Sequence, residues 1–318
     1  MSTILELRNL KKYFAVPNGF LHAVDNVSLK MEEGTTLGVV GESGCGKSTL
    51  GRTILHLLDS TGGQIIFEGR DVTHINKNEL KKLREDMQII FQDPFSSLDP
   101  RMTVSQIIAE PLIIQGEMSN TEIRKRTSEL METVGIAERF VNTYPHELDG
   151  GRRQRIGIAR ALTFKPKFIV CDEPVSALDV SIQAQIINLM KDFQEQFNLT
   201  YMFISHDLSV VEYISDEIAV MYLGEVIEKA PTKELFSHPL HPYTKALNAA
   251  IPQPDIHARK ERELIHGELT SPVNPEPGCR FRPRCRYATK ACESAQQLIE
   301  IKPNHFIACC RCSEINDY

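Results

Sequence analysis

The sequence predicts an α/β fold, in which a parallel sheet is flanked by helices and accompanied by an antiparallel β layer. An apolar run at 36–40 leads into a glycine-rich loop, and apolar residues then recur at helical spacing. A second apolar run, Phe168–Cys171, ends in two carboxylates. A helical stretch follows and ends at a third apolar run, Tyr201–Ile204. Alternation of short buried strands with helices is typical of α/β folds.

Composition narrows the class of protein. The 318 residues allow one large or two modest domains, and contents of 42% hydrophobic and 25% charged residues are ordinary for a globular protein. A net charge of −6 does not favour a nucleic-acid binder held by phosphate electrostatics. No apolar run approaches the roughly 20 residues of a membrane-spanning helix. The N-terminus also lacks the basic start and apolar core of a secretion signal, so we expect a cytoplasmic protein.

The first part of the chain reads as strands separated by turns. Turn residues occur at 17–19 and 61–63. The predicted strands of the antiparallel layer are residues 3–9, 22–30 and 64–68. A further strand is predicted at Met87–Phe91.

A helical pattern from 103 to 134 predicts a helical subdomain at about 93–150, inserted between two halves of the α/β sheet. More strand is expected at 221–227, around Gly224, followed by helix to about Ala250. After Ile251 the composition shifts, since seven of the 17 prolines and six of the eight cysteines lie beyond it. We therefore predict a main domain at 1–250 and an extension at 251–318.

The glycine-rich loop Gly41–Thr49, called the phosphate loop below, matches G-x-x-x-x-G-K-[ST] between a strand and a helix. Glycines let successive N–H groups point at one phosphate chain, and the helix N terminus adds a favourable dipole. Lys47 is predicted to reach the outer phosphates and the Ser48 hydroxyl to bind Mg²⁺. The candidate nucleotide contacts are Gly41, Ser43, Gly44, Cys45, Gly46, Lys47, Ser48 and Thr49.

Two further segments carry candidate chemistry. Asp172 and Glu173 end a strand and point in different directions, so one can hold Mg²⁺ while the other orients or deprotonates water. Gly150 and Gly151 precede a helix and predict a second anion site. The alternative for that segment is a helix cap followed by solvated arginines: Arg152, Arg153 and Arg155.

Taken in order, these motifs resemble the ATP-binding cassette ATPases over residues 3 to about 250. The resemblance rests on Gly41–Thr49, Gln92, Leu148–Gln154, Phe168–Glu173, Ser176–Asp179 and His206. It implies a P-loop NTPase core with a helical subdomain, acting as an ATPase. It also implies two cassettes arranged head to tail. Each ATP then lies on one phosphate loop and under the glycine pair of the other cassette.

The resemblance implies a role for each matching residue. Tyr13 stacks on adenine, and Asp149, Gly150 and Gly151 cover the nucleotide of the partner. Gln92 senses Mg²⁺ and the attacking water while linking to the membrane partner. Asp172 binds Mg²⁺ and Glu173 is the catalytic base. Lys47 and His206 contact the γ-phosphate, and Asp179 communicates across the dimer.

Two residues depart from the family pattern. Where the family has Leu-Ser-Gly-Gly-Gln, this chain has Asp149 in place of the serine and Arg152 in place of the glutamine. An ionised Asp149 cannot donate to the γ-phosphate and repels it unless Arg152 offsets the charge or the side chain turns away. The two ATP sites of a dimer are therefore expected to differ.

Neighbouring segments resemble ATPases of peptide importers: Phe91–Met102, Asp172–Val180 and His238–Leu247. Tyr222–Gly224 and Ser96–Leu98 favour the second of the two ATPases of dipeptide and oligopeptide systems. This implies a second ATPase subunit, two permeases, an external solute-binding protein and a place on the cytoplasmic face of the membrane. Nickel importers share much of the pattern, and soluble non-transport cassette ATPases are the competing class.

The extension carries Cys279, Cys285, Cys292 and Cys309, spaced C-x5-C-x6-C-x16-C. Four thiolates suit a tetrahedral zinc ion or a [4Fe–4S] cluster. Structural zinc sites favour tighter pairs, so the wide gaps favour the cluster, with zinc as the alternative. Cys310 and Cys312 are left over. A third interpretation makes the cysteine-rich extension a redox sensor.

Overall fold

The computed structural model describes residues 2–93, 95–251, 267 and 271–316. In chain order the strands and α-helices of these residues are β1 (Thr3–Val16), β2 (Gly19–Glu32), β3 (Thr36–Val40), α1 (Lys47–Ile54), β4 (Gly62–Phe67), β5 (Arg70–Asp71), α2 (Lys77–Asp86), β6 (Met87–Ile90), α3 (Val104–Gln115), α4 (Asn120–Thr133), α5 (Gly150–Ala161), β7 (Phe168–Asp172), α6 (Val180–Phe197), β8 (Thr200–Ile204), α7 (Leu208–Ile214), β9 (Glu217–Tyr222), β10 (Glu225–Pro231), α8 (Thr232–Ser237), α9 (Pro242–Ala249), β11 (Ile299–Lys302), β12 (His305–Ile307) and α10 (Cys312–Ile315).

The chain divides into two compact units. The first contains Glu32–Thr35 and Ile75–Ile204. The second contains Ser2–Met31, Thr36–His74 and the described residues from Ser205 onward. The phosphate loop and the described part of the extension therefore belong to the second unit, whereas the paired carboxylates and the glycine pair belong to the first.

The second unit contains an antiparallel sheet with the strand order β2-β1-β4-β5. The three strands predicted for this layer are confirmed. The turn predicted at 61–63 is wrong in part, because Gly62 and Gly63 begin β4. Gly63 has a φ of +83°, and a Cβ there would lie 2.3 Å from the Asn9 carbonyl oxygen. The register of β1 and β4 shifts at this point, so a glycine-dependent bulge replaces the turn.

The second unit also contains β3, which is buried along its whole length and pairs in parallel with β9. β10 runs antiparallel to β9, and the segment around Gly224 is thus a hairpin of two strands. Leu223 and Gly224 both have positive φ, of 44° and 88°. Two consecutive left-handed residues are typical of a type I′ turn, which matches the twist of the strands it joins.

In the first unit β6, β7 and β8 pair in parallel, as their apolar sequences predicted. The predicted helical region contains α3 and α4, and both begin with capping boxes, Thr103 with Gln106 and Ser119 with Glu122. Gly116 is left-handed and ends α3. Within the described ranges, no helix combines the length and the apolar character needed to cross a bilayer.

The described part of the extension adds strands to the edge of β10. β12 pairs antiparallel with β10, and β11 pairs with β12. Glu228 of β10 is fully buried and hydrogen-bonds His305 Nε2 at 2.7 Å, while its carboxylate also accepts the N–H groups of Leu240 and His241. The boundary predicted near Ile251 borders residues 252–266, which lie outside the described residues.

Candidate active site

The phosphate loop joins the buried strand β3 to the N terminus of α1. Gly41, Gly44 and Gly46 all have positive φ, at 150°, 78° and 104°. A Cβ on Gly46 would lie 2.0 Å from the Ala23 carbonyl oxygen, and a Cβ on Gly41 would lie 2.2 Å from that of Met221. Gly46 is the N-cap of α1 and provides no side-chain cap. The sequence thus forms a tight loop whose helix end is suited to an anion.

Lys47 folds back onto this loop. Its side chain is buried, and Nζ donates to the carbonyl oxygens of Gly41 at 2.7 Å and Glu42 at 3.1 Å. Cys45 Sγ lies 3.9 Å from the same ammonium. Burial raises the pKa of the Cys45 thiol, although the Lys47 charge opposes this. The positive charge of Lys47 therefore lies at the loop, where its ammonium can exchange these carbonyl partners for phosphate oxygens.

Tyr13 belongs to a polar cluster on the antiparallel sheet. Its ring stacks on the His22 ring, with centroids 3.8 Å apart, and its hydroxyl donates to Asp25. His22 Nδ1 also hydrogen-bonds Asp25, at 2.8 Å. Burial, followed by the hydrogen bond to Asp25, raises the pKa of Tyr13. Tyr13 is held in one orientation, and its stacking on adenine stays a prediction.

Two arginines of the extension reach this part of the second unit, and motif analysis missed both. Arg280 pairs with Asp25, and Arg284 pairs with Glu42, the second residue of the phosphate loop. Both side chains are nearly buried, at 6% and 9% exposed. No motif signals these contacts, because Arg284 and Glu42 are 242 residues apart and Arg280 and Asp25 are 255 residues apart.

In the first unit the structure brings together two predicted residues. Gln92 Nε2 donates to Glu173 Oε2 at 2.9 Å. Asp172 is the buried last residue of β7, whereas Glu173 follows the strand with a left-handed φ of 49°. The Glu173 N–H donates to the Ile204 carbonyl at 2.9 Å. A backbone conformation that is unfavourable for a non-glycine residue is thus fixed immediately after Asp172.

Asp149 is the N-cap of α5. Its Oδ1 accepts the Arg152 N–H at 2.8 Å, and its Oδ2 pairs with the Arg152 guanidinium. Of the two ways to offset this charge, the structure uses Arg152. A Cβ on Gly151 would lie 2.7 Å from Ile182 Cγ2, so this close packing of α5 against α6 requires a glycine.

The alternative in which the arginines of this segment are solvated is wrong for two of them. Arg153 is buried, donates to the Pro145 carbonyl at 2.6 Å and lies over the Phe95 ring at 3.7 Å. Arg155 Nη1 donates to the Val134 carbonyl at 2.6 Å. These contacts anchor α5 within the first unit.

His206 and Asp179 precede helices in different units. His206 is exposed and lies beside Asp207, whose Oδ1 caps α7 by accepting the Ser209 N–H at 2.9 Å. Asp179 caps α6 by accepting the Ile182 N–H at 3.0 Å. That hydrogen bond is the main cause that lowers the Asp179 pKa, so this carboxylate stays ionised.

The six cysteines of the extension all lie among the described residues and form no disulfides. Cys292 Sγ and Cys310 Sγ are 3.9 Å apart, and the Cys279 N–H donates to the Cys292 carbonyl at 2.8 Å. Burial raises the pKa of Cys279 to about 11 and that of Cys309 to about 12, and neighbouring cysteines add to both shifts. Cys310, which the spacing left over, thus lies close to a predicted ligand.

The geometry does not support the predicted [4Fe–4S] or zinc site. Among the described residues, no three His, Cys, Asp or Glu side chains lie close enough together to hold a metal ion. The four-cysteine site therefore stays a prediction made from spacing.

Comparisons with known proteins match both parts of the chain. Residues 24–176 match the family described as ABC transporter, and residues 227–292 match the oligopeptide/dipeptide transporter C-terminal region. The chain is 51% identical to the oligopeptide transport ATP-binding protein AppF of Bacillus subtilis, over 96% of this chain and 97% of the relative. It is 48% identical to OppF of Salmonella typhimurium, over 96% and 95%.

A solved ATP-binding cassette dimer in a post-hydrolysis state, bound to ADP and phosphate, is also similar. It shares 32% identity, with a TM-score of 0.66 over 72% of this chain and 99% of the solved one. The strand–loop–helix phosphate loop and the similarity to these relatives over nearly the whole chain lead to one conclusion. The chain belongs to the ATP-binding cassette transporter family, in its group of peptide-import ATP-binding proteins.

Proposed function

We propose that this chain is the ATP-hydrolysing subunit that energises import of dipeptides or oligopeptides through a membrane transporter. The observation that carries the proposal is likeness over 96% of the chain to oligopeptide transport ATP-binding proteins. That likeness extends beyond the ATPase motifs into the C-terminal region at 227–292. A general cassette ATPase needs only the motifs, so the match of the C-terminal region favours the peptide-import group.

ATP binds on the phosphate loop. The helix end at Gly46 accepts the phosphate chain, and Lys47 exchanges the Gly41 and Glu42 carbonyls for outer phosphate oxygens. Because the ammonium is already buried beside the loop, it needs little rearrangement to reach those oxygens. Preorganised positive charge of this kind accounts for a large share of phosphoryl-transfer catalysis. Tyr13 stacks on the adenine.

The magnesium ligands proposed are Ser48, Asp172 and Gln92. All offer oxygen ligands, which suits Mg²⁺, and Asp172 is the buried last residue of β7. Bound there, the ion supplies positive charge to the phosphate chain.

Glu173 is the general base for the attacking water, and His206 contacts the γ-phosphate. The hydrogen bond from Gln92 to Glu173 supports a shared role, because it ties the base to the residue proposed to sense the nucleotide. Gln92 orients the carboxylate and reports its position to the membrane partner. A base held in this way is positioned before the water arrives.

The working transporter contains a second cassette subunit, two permeases and an external solute-binding protein, with this chain on the cytoplasmic face of the membrane. Asp149, Gly150 and Gly151 cover the ATP of the second cassette. The Asp149–Arg152 pair takes the place of the usual serine there. The two ATP sites are therefore unequal, and closure of the dimer on ATP followed by reopening drives transport.

A [4Fe–4S] cluster on Cys279, Cys285, Cys292 and Cys309, with Zn²⁺ as the alternative, is also part of the proposal. Its support is the chemistry of the donor set, four thiols of one extension, of which Cys285 and Cys292 help to raise the pKa of Cys279. Iron and acid-labile sulfide at four per chain in protein purified without oxygen would support the cluster. One zinc per chain would support the alternative, and neither at stoichiometric level would reject both.

The import function is tested in proteoliposomes that contain the chain, its second cassette and its permeases. We expect ATP hydrolysis to rise when peptide-loaded solute-binding protein is added and peptide to accumulate inside. Stimulation by Ni²⁺ but not by peptide would assign the chain to nickel import. Hydrolysis that ignores both, with no association with permeases, would reject a transport role.

A further inference from the structure

The segment Cys279–Cys285, called the arginine segment below, directs three side chains towards residues of the nucleotide site. Arg280, Phe281 and Arg284 are nearly buried, with Phe281 only 3% exposed. Phe281 packs at steep angles against the Tyr222 and Tyr243 rings, with centroids 5.3 and 5.4 Å away. A buried guanidinium needs a carboxylate partner to offset its charge, so the partners of Arg280 and Arg284 indicate what the segment does.

Arg284 forms a bidentate ion pair with Glu42 of the phosphate loop. Nη1 lies 2.8 Å from Oε2, and Nη2 lies 3.1 Å from Oε1. Nη1 also donates to the Tyr222 hydroxyl at 3.3 Å. Two parallel charge-assisted hydrogen bonds fix the direction of the carboxylate as well as its charge.

Glu42 is held at its backbone too. The Tyr243 hydroxyl accepts its N–H at 2.8 Å, and its carbonyl accepts from Lys47 at 3.1 Å. The residue that opens the loop after Gly41 is thus fixed by side chain, amide and carbonyl. Of these contacts, only the ion pair neutralises a negative charge next to the place where phosphates bind.

Arg280 acts on the other end of the nucleotide site. Its guanidinium pairs with Asp25 and donates to the Leu223 carbonyl, and Nε lies 3.2 Å from Glu225. Asp25 is the carboxylate that accepts the Tyr13 hydroxyl and hydrogen-bonds His22. The next residue after Leu223, Gly224, donates its N–H to the Cys45 carbonyl at 2.8 Å. Arg280 therefore supports both the predicted adenine aromatic and the middle of the phosphate loop.

We propose that Arg280 and Arg284 are positioning residues for ATP, so that the arginine segment is a working part of the nucleotide site. The inference rests on the proposed function, in which ATP binds at Gly41–Thr49. Arg284 keeps the loop ready for phosphates and cancels the Glu42 charge that would repel them. Arg280 keeps Tyr13 ready for the base. Binding to a prearranged site avoids the ordering that a loose loop would require.

The test measures the Kd of MgATP for the full chain and compares single variants with a double variant. We expect Arg284→Gln to raise the Kd about tenfold or more, because it leaves Glu42 charged and unpaired. Glu42→Gln combined with Arg284→Gln removes that charge and should recover most of the affinity. Equal weakening in the single and double variants would overturn the electrostatic role of Arg284.

The matched control is Arg282→Gln, since Arg282 lies in the same segment but pairs with Glu276 and Glu293 of the extension. We expect its Kd to stay within about twofold of the wild type. If Arg282→Gln weakens binding as much as Arg284→Gln, the segment only stabilises the fold in a general way and the proposal fails. If Arg284→Gln does not fold, Arg284→Lys keeps the positive charge but cannot form the bidentate ion pair. We then expect a severalfold higher Kd, and a wild-type Kd would overturn the proposal.

Arg280 has a separate readout, the ratio of the Kd values of inorganic tripolyphosphate, which has no base, and ATP. Arg280→Gln should weaken ATP but not tripolyphosphate, because Tyr13 loses the orientation needed to stack on the base, whereas Arg284→Gln should weaken both ligands alike. An unchanged ratio in a folded Arg280→Gln chain would overturn the role of Arg280.

The wild type and Lys47→Ala separate this inference from the proposed function. If the wild type binds MgATP and Lys47→Ala does not, the arginine variants test only the inference. If the wild type binds no MgATP, the proposed function itself fails.

Discussion

Gln92 Nε2 donates a hydrogen bond to Glu173 Oε2 over 2.9 Å, joining two residues 81 positions apart. The contact ties the end of β6 to the carboxylate that follows β7. We predict that Glu173→Gln preserves MgATP binding and lowers the hydrolysis rate about a hundredfold to ten-thousandfold, the usual contribution of a general base. Single-turnover hydrolysis together with equilibrium ATP binding measures both effects. Near-normal turnover would contradict Glu173 as the base.

Asp149 provides a charge that is separable from its capping role. Asp149→Ser removes the charge and keeps a good N-cap for α5, so stability should hardly change. We predict that hydrolysis at the ATP site covered by this chain rises roughly fivefold, because the Arg152 charge is no longer neutralised by Asp149 and can contribute about 1 kcal/mol of attraction to the phosphates. The assay uses the complete transporter with the phosphate loop of this chain disabled by Lys47→Ala. A lower rate would mean that the Asp149–Arg152 pair favours catalysis.

The burial of His241 is expected to make the stability of the fold decrease at acidic pH. His241 is buried, and its Nδ1 caps α9 by accepting the Tyr243 N–H. The backbone N–H of His241 donates to the Glu228 carboxylate. Burial lowers its pKa to about 4, and the Glu228 charge opposes this only partly. The unfolded histidine titrates near 6.5, so between pH 6.5 and 4 the unfolded state binds a proton that the folded state excludes. Stability from this group is therefore complete above pH 6.5 and is lost as the pH falls.

We predict that His241→Asn, which keeps a capping oxygen but does not titrate, removes about 2 kcal/mol of the stability difference between pH 7 and pH 5. Urea unfolding of wild type and variant at the two pH values measures this. Parallel pH dependences would show that His241 does not control acid sensitivity.

A comparison of substitutions at Gly46 and Gly69 distinguishes backbone strain from a steric clash of the added Cβ. Both have positive φ, 104° and 77°, but a Cβ added at Gly46 would lie 2.0 Å from a carbonyl oxygen, whereas one added at Gly69 would meet no atom within 4 Å. Gly69→Ala should cost about 1 kcal/mol of conformational strain and leave ATP binding unchanged. Gly46→Ala should abolish ATP binding, because the loop must move away from Ala23. Thermal unfolding and MgATP binding measure both. A Gly46→Ala chain that binds ATP normally would contradict the close approach seen here.

Local patterns were enough to predict the main strands, because buried runs such as Phe168–Cys171 have little choice of environment. They also predicted the phosphate loop, since its glycines follow a fixed geometric need. The hairpin at Leu223–Gly224 was missed as a turn because leucine rarely adopts a positive φ. The Arg284–Glu42 pair was missed for a different reason. Its partners are 242 residues apart, and no local pattern encodes such a contact.

The pairing of β12 with β10 has a consequence for how this chain can be shortened. A chain ended at Ala250 would present the outer backbone groups of β10 to other molecules, with Glu228 deprived of His305. An uncovered strand edge is a template for intermolecular pairing. We therefore expect the extension to prevent this strand pairing between copies of the second unit. A shorter version would need a new covering for β10 to avoid such pairing at high concentration.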